Sequence, residues 1–293
     1  MRILITGASG QLGAHIIETL LGTDHEILAW SGTENVQRFG VPCKPVDLTD
    51  PIGLETALEA AQADAILHAA ALSAAEAVRL DPTRARAINV EATRRISDWA
   101  DRRGRRLVFT STDLVFDGSR SWNLEDDPAS SLLAYGTTKL EAEPFVLSSS
   151  RGIVARICLL FGPSKCGRPY FFDRAIDAIR RGEPQTFFED EFRTPLDLAM
   201  AARILIRLLE SNFTGLYHVA GKERVSRFEL MSRAAQVLGL DSSLVRPNRR
   251  NDQALVEPRP ADVSLDTTKL AQAFPDLIRP TIEVALSTHP IMD

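Results

Sequence analysis

Tyr135 and Lys139 stand four residues apart in the run Tyr135-Gly136-Thr137-Thr138-Lys139. On a helix that spacing puts both side chains on one face, so the pair can address one cleft. A free phenol, with a pKa of about 10, holds its proton too tightly for acid–base work near neutrality. A neighbouring ammonium and a bound cationic nicotinamide both favour the phenolate and bring that value down. Thr112 closes the run Phe109-Thr110-Ser111-Thr112, which reads as a strand end. A hydroxyl there can hold the oxygen of a reacting carbonyl. The chain has only three tyrosines, so such a pair following Ser111-Thr112 is a rare coincidence on composition alone. The chemistry these three residues suit is proton transfer to a carbonyl during hydride delivery, with Thr112, Tyr135 and Lys139 as the catalytic group.

A second cluster lies at the start of the chain: Thr6-Gly7-Ala8-Ser9-Gly10-Gln11-Leu12-Gly13. It falls between a short apolar run and an amphipathic stretch, hence between a strand and a helix. Missing side chains at Gly7 and Gly10 let a pyrophosphate approach the backbone. The free N–H groups and dipole at the helix start favour an anion, and Gly13 lets that helix pack closely on a sheet. Ser9, Gln11 and Leu12 are the other candidate contacts in the turn. The spacing departs from the G-x-G-x-x-G fingerprint, so position after a strand and before a helix carries the reading. The next strand ends at Ala29-Trp30-Ser31-Gly32-Thr33 with no carboxylate before Glu34. An acidic residue there takes the ribose 2′-hydroxyl in NAD-specific sites. Ser31 and Thr33 suit a 2′-phosphate instead, which favours NADP and leaves NAD open.

These residues need a scaffold, and the periodicity supplies one. Apolar runs over residues 2–6, 26–30, 44–46, 65–68, 106–110 and 153–160 read as strands. Helical spacing fills 11–21, 51–62, 82–103 and 135–148. Strands alternating with helices imply an α/β fold, a Rossmann-type doubly wound parallel sheet. Beyond Phe161 the texture changes to Gly162-Pro163 and Gly167-Arg168-Pro169. Helical segments follow at 172–181, 198–209, 227–238 and 268–274, with short strands near Thr186 and at 216–219. The expected division is a dinucleotide-binding domain over residues 1–160 and, over 161–293, mainly a smaller C-terminal substrate lobe with some segments returning to the core.

Composition limits the function classes. With 293 residues, 44% hydrophobic, the chain can bury a large core. A net charge of -5 leaves no basic footprint for nucleic acid. Cys43, Cys158 and Cys166 form no C-x-x-C pair, so no metal site is expected and the thiols read as reduced and structural. No run approaches the ~18 apolar residues of a membrane span, and no targeting segment is evident. The expectation is a cytoplasmic protein acting on a small molecule.

Taken together, the residues resemble the extended short-chain dehydrogenases/reductases. The resemblance is carried by the glycine turn, Asp47-Leu48, His68-Ala69-Ala70-Ala71, Asn89, Ser111-Thr112 and the tyrosine–lysine pair. Within them, Ser111-Thr112-Asp113-Leu114-Val115-Phe116-Asp117-Gly118, Arg193-Thr194-Pro195 and Arg259-Pro260-Ala261-Asp262-Val263-Ser264-Leu265-Asp266 resemble the dTDP-4-dehydrorhamnose reductases. The resemblance implies that Asp47 and Leu48 meet the adenine and that Ala69, Ala70 and Ala71 wall the cofactor. It gives Asn89 a structural role and puts Thr112 and Asp113 at the substrate. Arg193 and Arg259 then suit a substrate diphosphate, or salt bridges between the lobes. The implied substrate is a nucleotide-activated keto sugar, and the implied assembly a homodimer. Two positions depart from the reductase pattern: Leu114 replaces a tyrosine and Leu159 a tryptophan, which removes a phenol and an indole from the sugar pocket. Asp113 also lacks the following glutamate of the sugar-nucleotide dehydratases. Two other functions share these features: a sugar epimerase, and a dinucleotide-binding regulatory subunit, since the second-half motifs also resemble methionine adenosyltransferase beta subunits.

Overall fold

The computed structural model describes residues 1–252 and 256–288. The strand-and-helix alternation begins with β1 (Arg2–Thr6), α1 (Gln11–Leu20) and β2 (Glu26–Ser31), then a small hairpin, β3 (Val36–Arg38) and β4 (Val41–Pro45). It continues through α2 (Pro51–Ala61), β5 (Ala65–His68), α3 (Ala75–Leu80), α4 (Pro82–Arg86), α5 (Ala92–Arg102), β6 (Arg106–Thr112), α6 (Ala134–Leu147) and β7 (Gly152–Ile157). The second half adds β8 (Leu160–Phe161), α7 (Phe171–Arg180), β9 (Gln185–Phe188), β10 (Phe192–Arg193), β11 (Leu196–Asp197), α8 (Leu198–Glu210) and β12 (Gly215–Val219). It ends with β13 (Val225–Ser226), α9 (Arg227–Val237), β14 (Val245–Asn248), α10 (Thr268–Ala273) and α11 (Ile282–Ser287).

Eight strands form the central sheet in the order β12-β7-β6-β5-β1-β2-β4-β3. All neighbours are parallel except β3 on β4. Alternate strand residues feed two cores. Ile3, Ile5, Leu67 and Ile153 pack with α1 and α8 on one face. Leu4, Ile66 and Val154 pack with α2, α5 and α6 on the other. Burial on both faces is why these strands read as unbroken apolar runs. A third core, including Phe161, Phe172, Met231 and Leu286, holds α7, α9 and α11 together. Second-half elements also return to the first layer, β12 as an edge strand beside β7 and α8 against α1.

Two local details differ from the periodicity. The expected helix over 82–103 is interrupted by a π-helical turn at Ala87–Glu91 that carries Asn89. Such a turn widens the helix by one residue and turns Asn89 inward; its amide exchanges hydrogen bonds with the main chain of Leu72 and donates to Thr138 Oγ1 at 2.9 Å. The strand expected over 153–160 ends at Ile157; β8 begins at Leu160 and pairs with β11 outside the main sheet.

The Arg193-Thr194-Pro195 and 259–266 motifs meet in space. Phe192 N donates to Ala261 O at 2.8 Å, Val263 N to Phe192 O at 3.2 Å and Leu265 N to Thr194 Oγ1 at 3.1 Å. Their joint occurrence in the sequence has a structural basis, because each satisfies the other's buried main chain.

Candidate active site

The sheet reverses its winding at β1, with β2 on one side and β5 on the other, and the strand ends of β1, β5 and β6 open onto a cleft there. A cavity of about 760 Å³ occupies it. At one end lie Gly7, Ser9, Gly10, Gln11, Leu12 and Gly13. Gly7 has φ +71°, and a Cβ there would lie 2.7 Å from Ala70 N. At Gly13 a Cβ would lie 2.3 Å from Gly7 O, so only glycine lets α1 start this close to the turn. Gly10 caps α1 without a side-chain bond, which leaves the first-turn N–H groups facing the cavity. Ala69, Ala70 and Ala71 form the wall beyond β5, and Asp47 and Leu48 also line the cavity. Asp47 Oδ1 accepts from Thr49 N and Oγ1, at 2.8 and 2.7 Å, so its carboxylate shapes its own turn. Ser31 is buried below the rim, its hydroxyl on Glu34 O at 2.5 Å, while Gly32 and Thr33 line the cavity instead.

At the other end, Thr112 closes β6 and caps the 3-10 turn Asp113–Val115, accepting from Leu114 N and donating to Asp113 Oδ1, both at 3.2 Å. Tyr135 enters from the first turn of α6. That turn sits against the 3-10 turn because residue 136 is glycine: a Cβ there would lie 2.2 Å from Leu114 O. Lys139 lies one helical turn behind, buried, with Nζ 4.1 Å from the centroid of the Phe109 ring and no hydrogen-bond partner in the protein. Burial draws its pKa down to about 7, against the pull of Glu143. Burial, and then the charge of Asp113, raise the pKa of Tyr135 above its ordinary value. In the dinucleotide-free chain the phenol is therefore firmly protonated. Below Lys139, Glu143 is held by Arg156, through Nε at 3.0 Å and Nη2 at 2.7 Å, and by the Ser111 hydroxyl at 2.5 Å.

A buried ion network underlies the substrate end. Arg193 donates to Asp113 Oδ2 at 2.9 Å and to Glu191 Oε1 at 3.0 Å. Glu191 also faces Arg227 at 3.7 Å and Arg259 at 3.4 Å. Burial raises the Asp113 pKa, with Arg193 opposing it. Burial acts the same way on Glu191, but Arg193, Arg227 and Arg259 together outweigh it and hold that carboxyl below the usual range. Arg193 lines the cavity with both forks engaged; Arg259 stands outside its lining, half-buried, over the Phe188 ring. Leu114, Cys158 and Leu159, with Tyr170 and Phe171 at the start of α7, complete the apolar wall. Sequence reasoning missed Tyr170, Phe171, Arg168 and Glu191. All four follow Phe161, and no local pattern ties them to a cleft built by the first half.

These features fit a dinucleotide: a turn with no room for a Cβ at Gly7 or Gly13, an uncapped helix start, and a buried ammonium with its hydrogen-bonding capacity unspent. They define a Rossmann-fold chain of the short-chain dehydrogenase/reductase class. Over residues 1–287 it matches the family described as RmlD substrate binding domain, and it belongs to that family. It is similar to the crystal structure of a hypothetical dTDP-4-dehydrorhamnose reductase from Sulfolobus tokodaii. That similarity has a TM-score of 0.84 and 30% identity, covering 97% of this chain and 98% of that one. Curated relatives include methionine adenosyltransferase 2 subunit beta of Xenopus tropicalis, 28% identical over 92% of this chain and 81% of that protein. Another is the probable low-salt glycan biosynthesis reductase Agl14 of Haloferax volcanii, 26% identical over 92% and 91%. Among the described residues no helix is long and apolar enough to cross a membrane.

Proposed function

We propose that the chain is an NAD(P)H-dependent reductase of a keto group on a nucleotide-activated sugar, in the manner of the dTDP-4-dehydrorhamnose reductases. The observation that carries this is the buried Lys139 Nζ, which has no hydrogen-bond partner in the protein and sits one helical turn behind Tyr135, itself part of the cavity lining. The bound nicotinamide supplies the hydride. Thr112 turns its hydroxyl proton from Asp113 to the keto oxygen and holds it. Tyr135 gives its phenolic proton to that oxygen as negative charge develops there. Lys139 binds the ribose hydroxyls and, charged, stabilises the phenolate left behind. Arg193 keeps Asp113 in place beside Thr112. With Leu114 and Leu159 where the reductase pattern has a tyrosine and a tryptophan, and with the Tyr170 hydroxyl donated to Gly162 O, the preferred substrate differs from 4-dehydrorhamnose at the atoms that the missing phenol and indole would meet. The cofactor half, residues 1–160, and a mainly substrate-binding second half divide the work. A homodimer is the assembly the family resemblance supports.

The test is nicotinamide oxidation with a panel of dTDP- and UDP-4-keto sugars, comparing the wild type with Tyr135→Phe. Turnover that falls by about 100-fold or more in the variant, with dinucleotide affinity kept, is the expected result. A second reading, a regulatory subunit, draws on the likeness to methionine adenosyltransferase 2 subunit beta across 92% of the chain. Tight dinucleotide binding with no turnover of any sugar, and a stable complex with a methionine adenosyltransferase catalytic subunit, would replace the first reading by the second.

A further inference from the structure

Lys139 has a carboxylate one helical turn away and is not bonded to it. Glu143 follows Lys139 at i+4 on α6, a spacing at which long side chains of opposite charge ordinarily pair. Here Lys139 Nζ has no hydrogen-bond partner, and both oxygens of the carboxylate are spent elsewhere. Glu143 Oε1 accepts from the Ser111 hydroxyl at 2.5 Å and from Arg156 Nε at 3.0 Å, and Oε2 accepts from Arg156 Nη2 at 2.7 Å. Ser111 and Arg156 are partners in register on β6 and β7. Phe109 precedes Ser111 by two residues on β6, so ring and hydroxyl share one face of the sheet. On that face Lys139 lies over the ring and Glu143 meets the hydroxyl. Ser111, Lys139, Glu143 and Arg156 are all buried.

A buried carboxylate keeps its charge only with donors around it. Two cations lie beside Glu143: the Lys139 ammonium on its own helix and the Arg156 guanidinium on β7. The planar fork of Arg156 meets both oxygens at once, which a single ammonium does not do. This pairing cancels charge for charge, and Lys139 is left as the unbalanced cation of the three. The other titratable groups about it bring no negative charge in the dinucleotide-free chain. His68, at the end of β5, is buried and neutral, its pKa drawn down to about 3 by burial and by Lys139. Tyr135 keeps its phenolic proton. Glu143 still supports the ammonium through space, against the burial that pulls its pKa to about 7.

We propose that Arg156, assisted by Ser111, is a positioning residue: by occupying both oxygens of Glu143 it keeps the Lys139 ammonium unpaired and free for the ribose hydroxyls of the dinucleotide. This rests on the reductase reading of the site, which gives Lys139 to the ribose. Without Arg156 the carboxylate turns to Lys139, and the ribose must compete with an ion pair. Without Glu143 the guanidinium is left unbalanced and repels the ammonium, which then gives up its proton more easily. The two single losses push Lys139 in opposite directions, and the double loss returns it close to where it began. A contact that merely held β7 to α6 would have no such opposed effects.

The titration of Lys139 is read by carbon NMR of the full chain labelled at its lysine side chains; the chain has five lysines, and Lys139→Met assigns the signal. Arg156→Met should titrate at least about one pH unit above wild type and Glu143→Gln at least about one below, with the double variant within about half a unit of wild type. In calorimetric titrations with NADPH at pH 6, Arg156→Met is expected to lose about tenfold in affinity and the double variant to recover to within about threefold of wild type. Ser111→Ala, which removes one of the three bonds to Glu143, should move Lys139 in the same direction as Arg156→Met but less far, and it takes the place of Arg156→Met if melting curves show that variant unfolded. Single variants that shift Lys139 the same way or leave it unmoved, or a folded double variant that binds as weakly as Arg156→Met, overturn the proposal; the reductase reading is then untouched, since it is decided by turnover in Tyr135→Phe. A wild type that binds no dinucleotide overturns both.

Discussion

Replacing Lys139 by methionine is expected to make the dinucleotide-free chain more stable while it abolishes turnover. The ammonium is buried, and burial draws its pKa from the ordinary 10.5 to about 7. At ~1.36 kcal/mol per tenfold change in proton affinity, the charged form costs the native state about 5 kcal/mol. The Phe109 face, 4.1 Å from Nζ, offsets roughly 1–2 kcal/mol of this as a desolvated cation–π contact. About 3 kcal/mol of strain remains, and methionine, of similar length and apolar, relieves it. The sign follows from proton counting. Between the folded value near 7 and the unfolded value of 10.5 the unfolded chain binds the extra proton, so wild-type stability rises with pH across that window. The penalty is complete below about pH 7 and gone above about pH 10.5. Thermal unfolding of both proteins at pH 6, 8 and 10 is the assay. The variant should melt about 5–10 °C higher at pH 6, and the gap should close to a degree or two by pH 10. A variant no more stable than wild type at pH 6, or a gap that ignores pH, would refute the account of Lys139 as a charge held in readiness for a ribose.

Two further outcomes follow from contacts described above. Gly13→Ala drives a Cβ to 2.3 Å from Gly7 O and 2.7 Å from Ala8 Cα, both backbone atoms that cannot swing away; the expected cost is about 1–3 kcal/mol in denaturant unfolding together with a loss of dinucleotide affinity, and a variant unchanged in both would mean that α1 has room to lift. Glu191→Gln leaves Arg193, Arg227 and Arg259 with Asp113 as the remaining carboxylate of their network; the expected cost is about 3–5 kcal/mol, and a loss under ~1 kcal/mol would show that water solvates the guanidinium groups instead.

What the amino-acid sequence determined by itself is whatever lies within one supersecondary unit. β1, the glycine turn and α1 are continuous in the chain, so their spacing already implies a backbone anion site at a helix start. Tyr135 and Lys139 share a helix, and Thr112 ends the strand before it, so helical and strand periodicity alone bring the three toward one cleft. The parallel sheet was legible for the same reason, since strands buried on both faces leave unbroken apolar runs. The tertiary structure decided the contacts that cross between units. The π-helical turn at Asn89 exists because an amide must reach Leu72 and Thr138 at once, a demand that comes from outside its own helix. Arg193 meets Asp113 across 80 residues, and Arg168 meets Ser9 across 159. Local periodicity records which face of an element is apolar. It carries no record of which distant cation a loop will deliver to a strand end, because that depends on how the second half folds back over the first.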